Sequence, residues 1–263
     1  MIPRNILITG AGGILGTAFI EEMLNSGHKV SACEYDNEKT SLLRNKFKKY
    51  DDFSVFKCDV TDEQQVEEFF VKAYEFLGSI DVVINNAGVT SELLLRNNLA
   101  PSSFEETSLD SWNFSIQVNL TGTFLISREF VRCINKYDSE KYLKKIINIS
   151  SMYALNGPDP SLYENSNIKS FAAYSASKGG VIGLTKWLST FLAKKNITVN
   201  SLAPGGVFND HPDEFRKNLE SKIPLGRMAS PKDISSVLSF LVSDSSDYMT
   251  GQVIYCDGGY TSL

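Results

Sequence analysis

Seven short runs rich in β-branched and apolar residues recur along the chain, and stretches of helical periodicity separate most of them. The runs are NILIT (5–9), KVSAC (29–33), SVFKC (54–58), DVVIN (81–85), KIINIS (145–150), ITVNSL (197–202) and QVIYC (252–256). Between them lie segments such as LGTAFIEEMLNSG, DEQQVEEFFVKAYEFLG and SWNFSIQVNLTGTFLISREFVRCI. A crossover helix returns the chain to the edge it left, so successive strands pair in parallel. The alternation therefore predicts an α/β fold, a doubly wound parallel sheet of about seven strands with helices on both faces. No low-complexity linker or solenoid repeat interrupts the 263 residues, and a single domain over 1–263 is expected. The irregular segments 88–109, 152–173 and 205–213 all follow predicted strands. Ligand crevices in open parallel sheets lie outside the strand C-termini, so the three segments are expected around one site.

The first strand runs into ILITGAGGILGTAF, with glycines at 10, 13 and 16 before a helix. Glycines there allow a tight turn and let backbone N–H groups and the helix N-terminus approach a pyrophosphate. An acidic residue at the end of the second strand completes a dinucleotide signature. Glu34 stands there, 24 residues after Gly10. Its carboxylate can accept hydrogen bonds from both ribose hydroxyls of NAD and would repel the 2′-phosphate of NADP. Tyr35 and Asp36 offer that phosphate no cation, so NAD is expected over NADP. Asp59, after the third strand, is placed to bond the adenine amino group. NNAG (85–88) after the fourth suits a tight turn whose backbone lines the cofactor.

A tyrosine and a lysine four residues apart share a helix face. Among the three tyrosines between Ser150 and Lys178, Tyr174 alone has a cation at that spacing, in YSASK, where the intervening SAS reads as small and undemanding. A free phenol has a pKa of about 10. A cation roughly 4 Å away at an effective dielectric of about 20 is worth on the order of 4 kcal/mol, or about three pKa units. The spacing therefore nominates Tyr174 as an acid/base with its pKa lowered by Lys178.

A net charge of −5 with no basic cluster argues against nucleic acid and anionic membrane surfaces as partners. No apolar run approaches membrane-span length, and MIPRNILITG enters a strand without a signal-peptide pattern. The four cysteines are scattered and read as reduced, and neither His28 nor His211 has a ligand partner in the sequence, so no structural metal is expected. A cytoplasmic location follows as the expectation.

Taken together, TGAGGILG (9–16), CDV (58–60), NNAG (85–88), VNLTGTF (118–124), NISS (148–151), YSASK (174–178), NSLAPGG (200–206), PLGRM (224–228) and TGQVIYCDGGY (250–260) resemble the short-chain dehydrogenase/reductase superfamily in its classical form. They occur in family order across nearly the whole chain. The resemblance implies a Rossmann fold and a catalytic tetrad. In that set Asn119 holds a water, Ser151 hydrogen-bonds the substrate oxygen, Tyr174 is the general acid/base, and Lys178 lowers the tyrosine pKa and binds the nicotinamide ribose. It also implies a dinucleotide site lined by Gly10, Gly13, Leu15, Gly16, Glu34, Asp59, Val60, Asn86, Ala87, Gly88, Tyr174, Lys178, Pro204, Gly205 and Val207. A homotetramer is implied by the C-terminal segment and by the helices at 110–135 and 174–194.

Three departures stand out. Glycine falls at 13 where the classical motif has it at 14, a spacing more usual among sugar-nucleotide epimerases. Asn209 stands where threonine is frequent. The gap from Ser151 to Tyr174 is 23 residues where roughly a dozen is usual. The added stretch, within GPDPSLYENSNIKSF, is polar with few apolar anchors and reads as a substrate-recognition wall. Arg96, Tyr163 and Asn209 are the candidate substrate contacts, and 205–222 is the expected lid. A polar, hydroxyl-rich or anionic small molecule fits such a wall. MYALNGPDPSLYE also resembles dehydrogenases of surface-sugar and flagellin-glycosylation pathways, which favours a sugar derivative. A 3-oxoacyl thioester reductase is the alternative enzyme, and a non-catalytic NAD-binding sensor or scaffold the alternative outside catalysis.

Overall fold

The computed structural model describes residues 2–137, 143–163 and 169–263. Its strands are β1 (Asn5–Thr9), β2 (Lys29–Glu34), β3 (Phe53–Lys57), β4 (Val82–Asn85), β5 (Lys144–Ile149), β6 (Ile197–Pro204) and β7 (Val253–Cys256). The helices are α1 (Ile14–Asn25), α2 (Asn37–Lys46), α3 (Glu63–Leu77), α4 (Ser91–Arg96), α5 (Leu109–Ile116), α6 (Gly122–Tyr137), α7 (Ala172–Leu192), α8 (Asp213–Lys222) and α9 (Pro231–Val242). The strands form one parallel sheet in the order β3-β2-β1-β4-β5-β6-β7. The chain winds outward from β1 to β3 and restarts on the other side at β4. The β1/β4 junction is thus the switch point at which such sheets open a crevice.

Side chains alternate across the sheet, and each face is covered. Ile6, Ile8, Val30 and Ile84 pack against Phe19, Ile20 and Met23 of α1 and Leu238 and Leu241 of α9. Leu7, Val83, Ile146 and Val199 point the other way, onto Phe69 and Phe70 of α3, Phe130 of α6 and Leu192 of α7. Burying a side chain of this size is worth about 1.5–3 kcal/mol, so the two apolar layers are what hold the helices to the sheet. At the N-terminal edge the interior turns ionic. Lys144 Nζ lies 3.0 Å from Asp81 Oδ1. Lys145 Nζ reaches Asp247 Oδ1 at 2.7 Å, Ser243 O at 2.6 Å and Ser246 Oγ at 2.9 Å. Arg4 pairs with Asp244 at 2.5 Å.

At the opposite edge lie the segments expected around a site. The extension before Tyr174 is better anchored than its polarity predicts. Its 3₁₀ turn (Pro160–Tyr163) buries Leu162 completely, in a cluster with Phe215 and Leu219 of α8 and with Met228 and Tyr260. The Tyr163 ring sits 5.6 Å from that of Phe215, and Lys222 pairs with Asp159 at 3.2 Å. Two apolar residues in an otherwise polar run are enough, because both fall on the side facing α8. At the far end of the extension, Phe171 packs with Val89 and Leu94, and Lys169 donates to Ser102 O at 3.2 Å. The 88–109 segment and the extension therefore touch. Residues 164–168 of the expected wall lie outside the described residues. Among the described residues no helix is long and apolar enough to cross a membrane.

Candidate active site

Each tetrad residue is placed by the end of a regular element. Ser151 follows β5, where its hydroxyl caps a 3₁₀ turn (Met152–Ala154) by accepting from Tyr153 N–H at 3.2 Å. That leaves the serine proton free to point elsewhere, and the Ser151 hydroxyl lies close enough to the Tyr174 phenol to act on its pKa. Tyr174 and Lys178 stand one turn apart near the start of α7, with the ammonium 5.9 Å from the centre of the phenol ring. Lys178 Nζ donates to Ile149 O at 2.8 Å. Asn119 lies in a π-helical turn (Gln117–Thr121) that joins α5 to α6. It is wholly buried, and its Oδ1 accepts from Val89 N–H at 2.6 Å. The turn from Gly88 closes over the set, for a Cβ added there would lie 3.4 Å from Lys178 Nζ and 3.5 Å from Asn119 Oδ1.

The electrostatics depart from the simple cation argument. Burial pushes the Tyr174 phenol above its ordinary value, and the Ser151 hydrogen bond pulls it partway back. Burial also pushes Lys178 down to about 8. At neutral pH, below that value, the lysine remains mostly a cation. Desolvation of both groups outweighs their attraction at this separation.

The dinucleotide end fits the group its sequence implies. Gly10 adopts φ +65°, and a Cβ there would lie 2.6 Å from Ala87 Cα, so the glycine turn packs against the NNAG turn. Thr9 and Asn86 bind the two together. Thr9 Oγ1 accepts from Asn86 N–H and Ala87 N–H at 3.1 Å each, and Asn86 Nδ2 donates to Thr9 O at 3.1 Å and Gly10 O at 2.9 Å. No side chain caps the first turn of α1 and no acidic residue lies in it, which suits an anion. Glu34 turns inward: Oε2 accepts from Gly12 N–H at 2.7 Å and Oε1 from Asp36 N–H at 3.2 Å. These residues would hold the pyrophosphate at α1 and the adenosine ribose at Glu34.

The other expected positions are distributed as follows. Leu15 packs into the α1 face of the core, and Gly16 is buried beneath the turn, while Gly13 lies exposed at its rim. Asp59 Oδ1 takes both bonds from Thr61, at 2.9 Å from N–H and 2.8 Å from the hydroxyl. Val60 is buried against Gly122. Pro204 ends β6. Gly205 is required by its neighbour, since a Cβ would lie 2.6 Å from Asp257 Cα. Val207 bridges to Ala229. Tyr163 comes within electrostatic reach of Tyr174 and donates its hydroxyl to Tyr153 Oη at 3.0 Å. Arg96 is exposed at the end of α4, and Asn209 is exposed before α8 with its N–H donating to His211 Nδ1 at 3.2 Å. Thr9 and Ser177 carry no expected role in the sequence, and Ser150 reads there as a structural serine at the strand end. Ser150 donates to Lys178 O at 2.9 Å and ties β5 to α7. A hydroxyl residue ending a strand, or lying just before the lysine, was the available signal.

A family model described as Enoyl-(Acyl carrier protein) reductase matches residues 10–261. A 3-oxoacyl-[acyl-carrier-protein] reductase of Thermotoga maritima is 34% identical over 258 residues, covering 96% of each chain. A short chain dehydrogenase from Leptospira borgpetersenii, solved with bound NAD+, superposes with a TM-score of 0.85 at 29% identity, covering 98% of this chain and 93% of the other. A candidate gluconate dehydrogenase from Agrobacterium tumefaciens gives 0.83 at 27% identity, covering 99% and 96%. The fold and site define an NAD(P)-dependent oxidoreductase acting on CH–OH groups. The chain belongs to the classical short-chain dehydrogenase/reductase family.

Proposed function

We propose that the protein uses NAD to interconvert a secondary alcohol and a ketone on a sugar or sugar derivative, with Tyr174 as general acid/base. The observation that carries the chemistry is the placement of Ser151, at the end of β5, beside the Tyr174 phenol, one helical turn from Lys178. The nicotinamide supplies or accepts hydride when bound. Tyr174 then moves the proton of the substrate oxygen, and the Ser151 hydroxyl donates to that oxygen as its charge changes. Lys178 holds positive charge beneath the phenol, and its ammonium stays fixed by Ile149 O. The NAD preference rests on Glu34, whose negative charge at the end of β2 would repel a 2′-phosphate.

The sugar reading is supported by the added 159–163 turn against α8, by the tyrosine hydroxyls of Tyr153 and Tyr163 beside the site, and by the likeness to the Agrobacterium protein. The Thermotoga relative favours a second reading, reduction of a 3-oxoacyl thioester. A substrate panel separates them: sugars, amino sugars and polyols oxidised with NAD, against a 3-oxoacyl thioester reduced with NADH or NADPH. Turnover confined to the hydroxylated compounds is expected. Efficient thioester reduction with no sugar turnover would replace the first reading by the second. We further propose a cytoplasmic homotetramer. The stacked rings of Trp187 and Phe191 on α7, 4.7 Å apart and each 58% exposed, support an apolar face covered by another subunit.

A further inference from the structure

Ser177 lies between Tyr174 and Lys178 and is wholly buried. Its oxygen accepts from Asn119 Nδ2 at 2.9 Å and its proton goes to Tyr174 O at 2.7 Å. The direction of the first bond is fixed by chemistry. Val89 N–H can only donate, so Asn119 must present Oδ1 to it and turn its NH₂ towards Ser177. The hydroxyl is therefore the joint between the catalytic turn of α7 and the π turn of Asn119. Through Asn119 it also holds the Gly88–Val89 backbone that closes over Lys178. The π turn departs from regular i,i+4 bonding, and the Asn119 side chain within it bonds outward, to Val89 and Ser177. Thr123 completes the local set by donating to Asn119 O at 2.8 Å.

We propose that Ser177 is a positioning residue: it sets Asn119 and the Gly88–Val89 turn against the Tyr174–Lys178 pair, so that proton transfer occurs in the aligned geometry. The inference rests on the reading of Tyr174 as the acid/base. The titratable groups facing Tyr174 are Lys178 on its own helix and Tyr163 on the neighbouring turn, and Ser151 faces it from the end of β5. Substituting Ser177 leaves all three side chains in place.

The test uses the full chain with NAD bound. Ser177→Ala is expected to lower kcat about 10- to 100-fold, the scale set by small misplacements of reacting groups. KM for NAD should change less than about twofold. Combined with Asn119→Ala, it should add little to the loss from Asn119→Ala alone, because both break one joint. A second readout needs no substrate. The phenolate absorbance of Tyr174, taken in each background as the protein with Tyr174 minus the same protein with Tyr174→Phe, should titrate at a shifted pH in Ser177→Ala, with the melting temperature lowered only modestly. Ser177→Thr, which keeps the hydroxyl, should restore most of both signals. If Ser177→Ala does not fold, Ser177→Cys, of similar volume and weaker acceptor strength, carries the same expectations. Unchanged kcat and unchanged Tyr174 titration would overturn the proposal, as would fully additive losses with Asn119→Ala. If no alcohol or ketone is turned over, the activity reading fails, and the titration still decides for Ser177.

Discussion

The proposed acid/base role of Tyr174 rests on one oxygen, its phenol hydroxyl. Tyr174→Phe keeps the ring and its packing, so NAD affinity should hold while kcat falls by about 10²–10⁴, the usual scale of general acid–base catalysis. Tyr163→Phe should instead raise substrate KM several-fold and leave the pH profile of kcat unchanged. Steady-state rates of the two variants across pH check the pair, and loss of turnover in Tyr163→Phe alone would refute the assignment. Lys178 gives a prediction about stability. Its ammonium is held near 8 in the folded protein against 10.5 for the free side chain. Between those values the unfolded chain binds more protons, so the contribution of this position to stability rises with pH through that window and is at its worst below 8. Removing the charge with Lys178→Met should therefore stabilise the cofactor-free protein by on the order of 3 kcal/mol at pH 7 while abolishing turnover. The advantage should close as pH approaches about 10. Thermal melts of both proteins from pH 6 to pH 10 measure it, and equal melting temperatures at pH 7 would contradict it. Glu34 has two duties, since it also anchors Gly12 N–H. Glu34→Ser should reduce an NAD preference of at least about tenfold in kcat/KM and weaken both cofactors somewhat through the loosened turn. Similar kcat/KM for NAD and NADP in the unaltered protein would remove the premise.

Among the elements, the turn Pro160–Tyr163 and α8 pack as one wall, joined by Leu162, by the Tyr163–Phe215 contact and by the Asp159–Lys222 pair. Deleting a buried leucine side chain usually costs about 2–5 kcal/mol. In this satellite cluster Leu162→Ala should loosen the wall while sparing the sheet. Amide exchange across 213–222 should quicken and substrate KM rise several-fold, with NAD affinity preserved. Exchange and kinetics unaltered in Leu162→Ala would show that the wall does not depend on this contact. The strands were legible in the sequence because β-branched runs bounded by turn residues leave few alternatives, and their observed limits differ from the expected ones by at most two residues. The tetrad was legible because YSASK fixes two members by helix spacing and the family likeness fixes the others. The π turn at 117–121 was not legible. SWNFSIQVNLTGTFLISREF reads as one continuous helix, and the extra residue in the turn is stabilised by Asn119 bonds to Val89 and Ser177, partners distant in sequence. The anchoring of the extension was hidden for the same reason. Leu162 and the Tyr163 ring are isolated in a polar run until α8 is placed beside them.

For the whole molecule, the exposed Trp187–Phe191 stack predicts assembly with two-fold axes, the arrangement common among oligomers. Light scattering at micromolar concentration should return a tetramer, and Trp187→Glu should shift it towards smaller species; a monomeric mass for the unaltered protein would contradict this. The N-terminal edge of the sheet carries a different consequence, one for biosynthesis. Among the described residues, every acceptor of the buried Lys145 ammonium comes from residues 243–247, close to a hundred positions downstream. While the chain emerges from the ribosome, β5 carries a lysine whose native partners have not yet been made. Its insertion into the interior at that stage would leave a charge unpaired, at a cost of about 3–5 kcal/mol once the site is dry. The central strand of the second half therefore waits for the last segment, and a nascent chain arrested before residue 247 should remain open to proteases and chaperones whatever its first half has achieved.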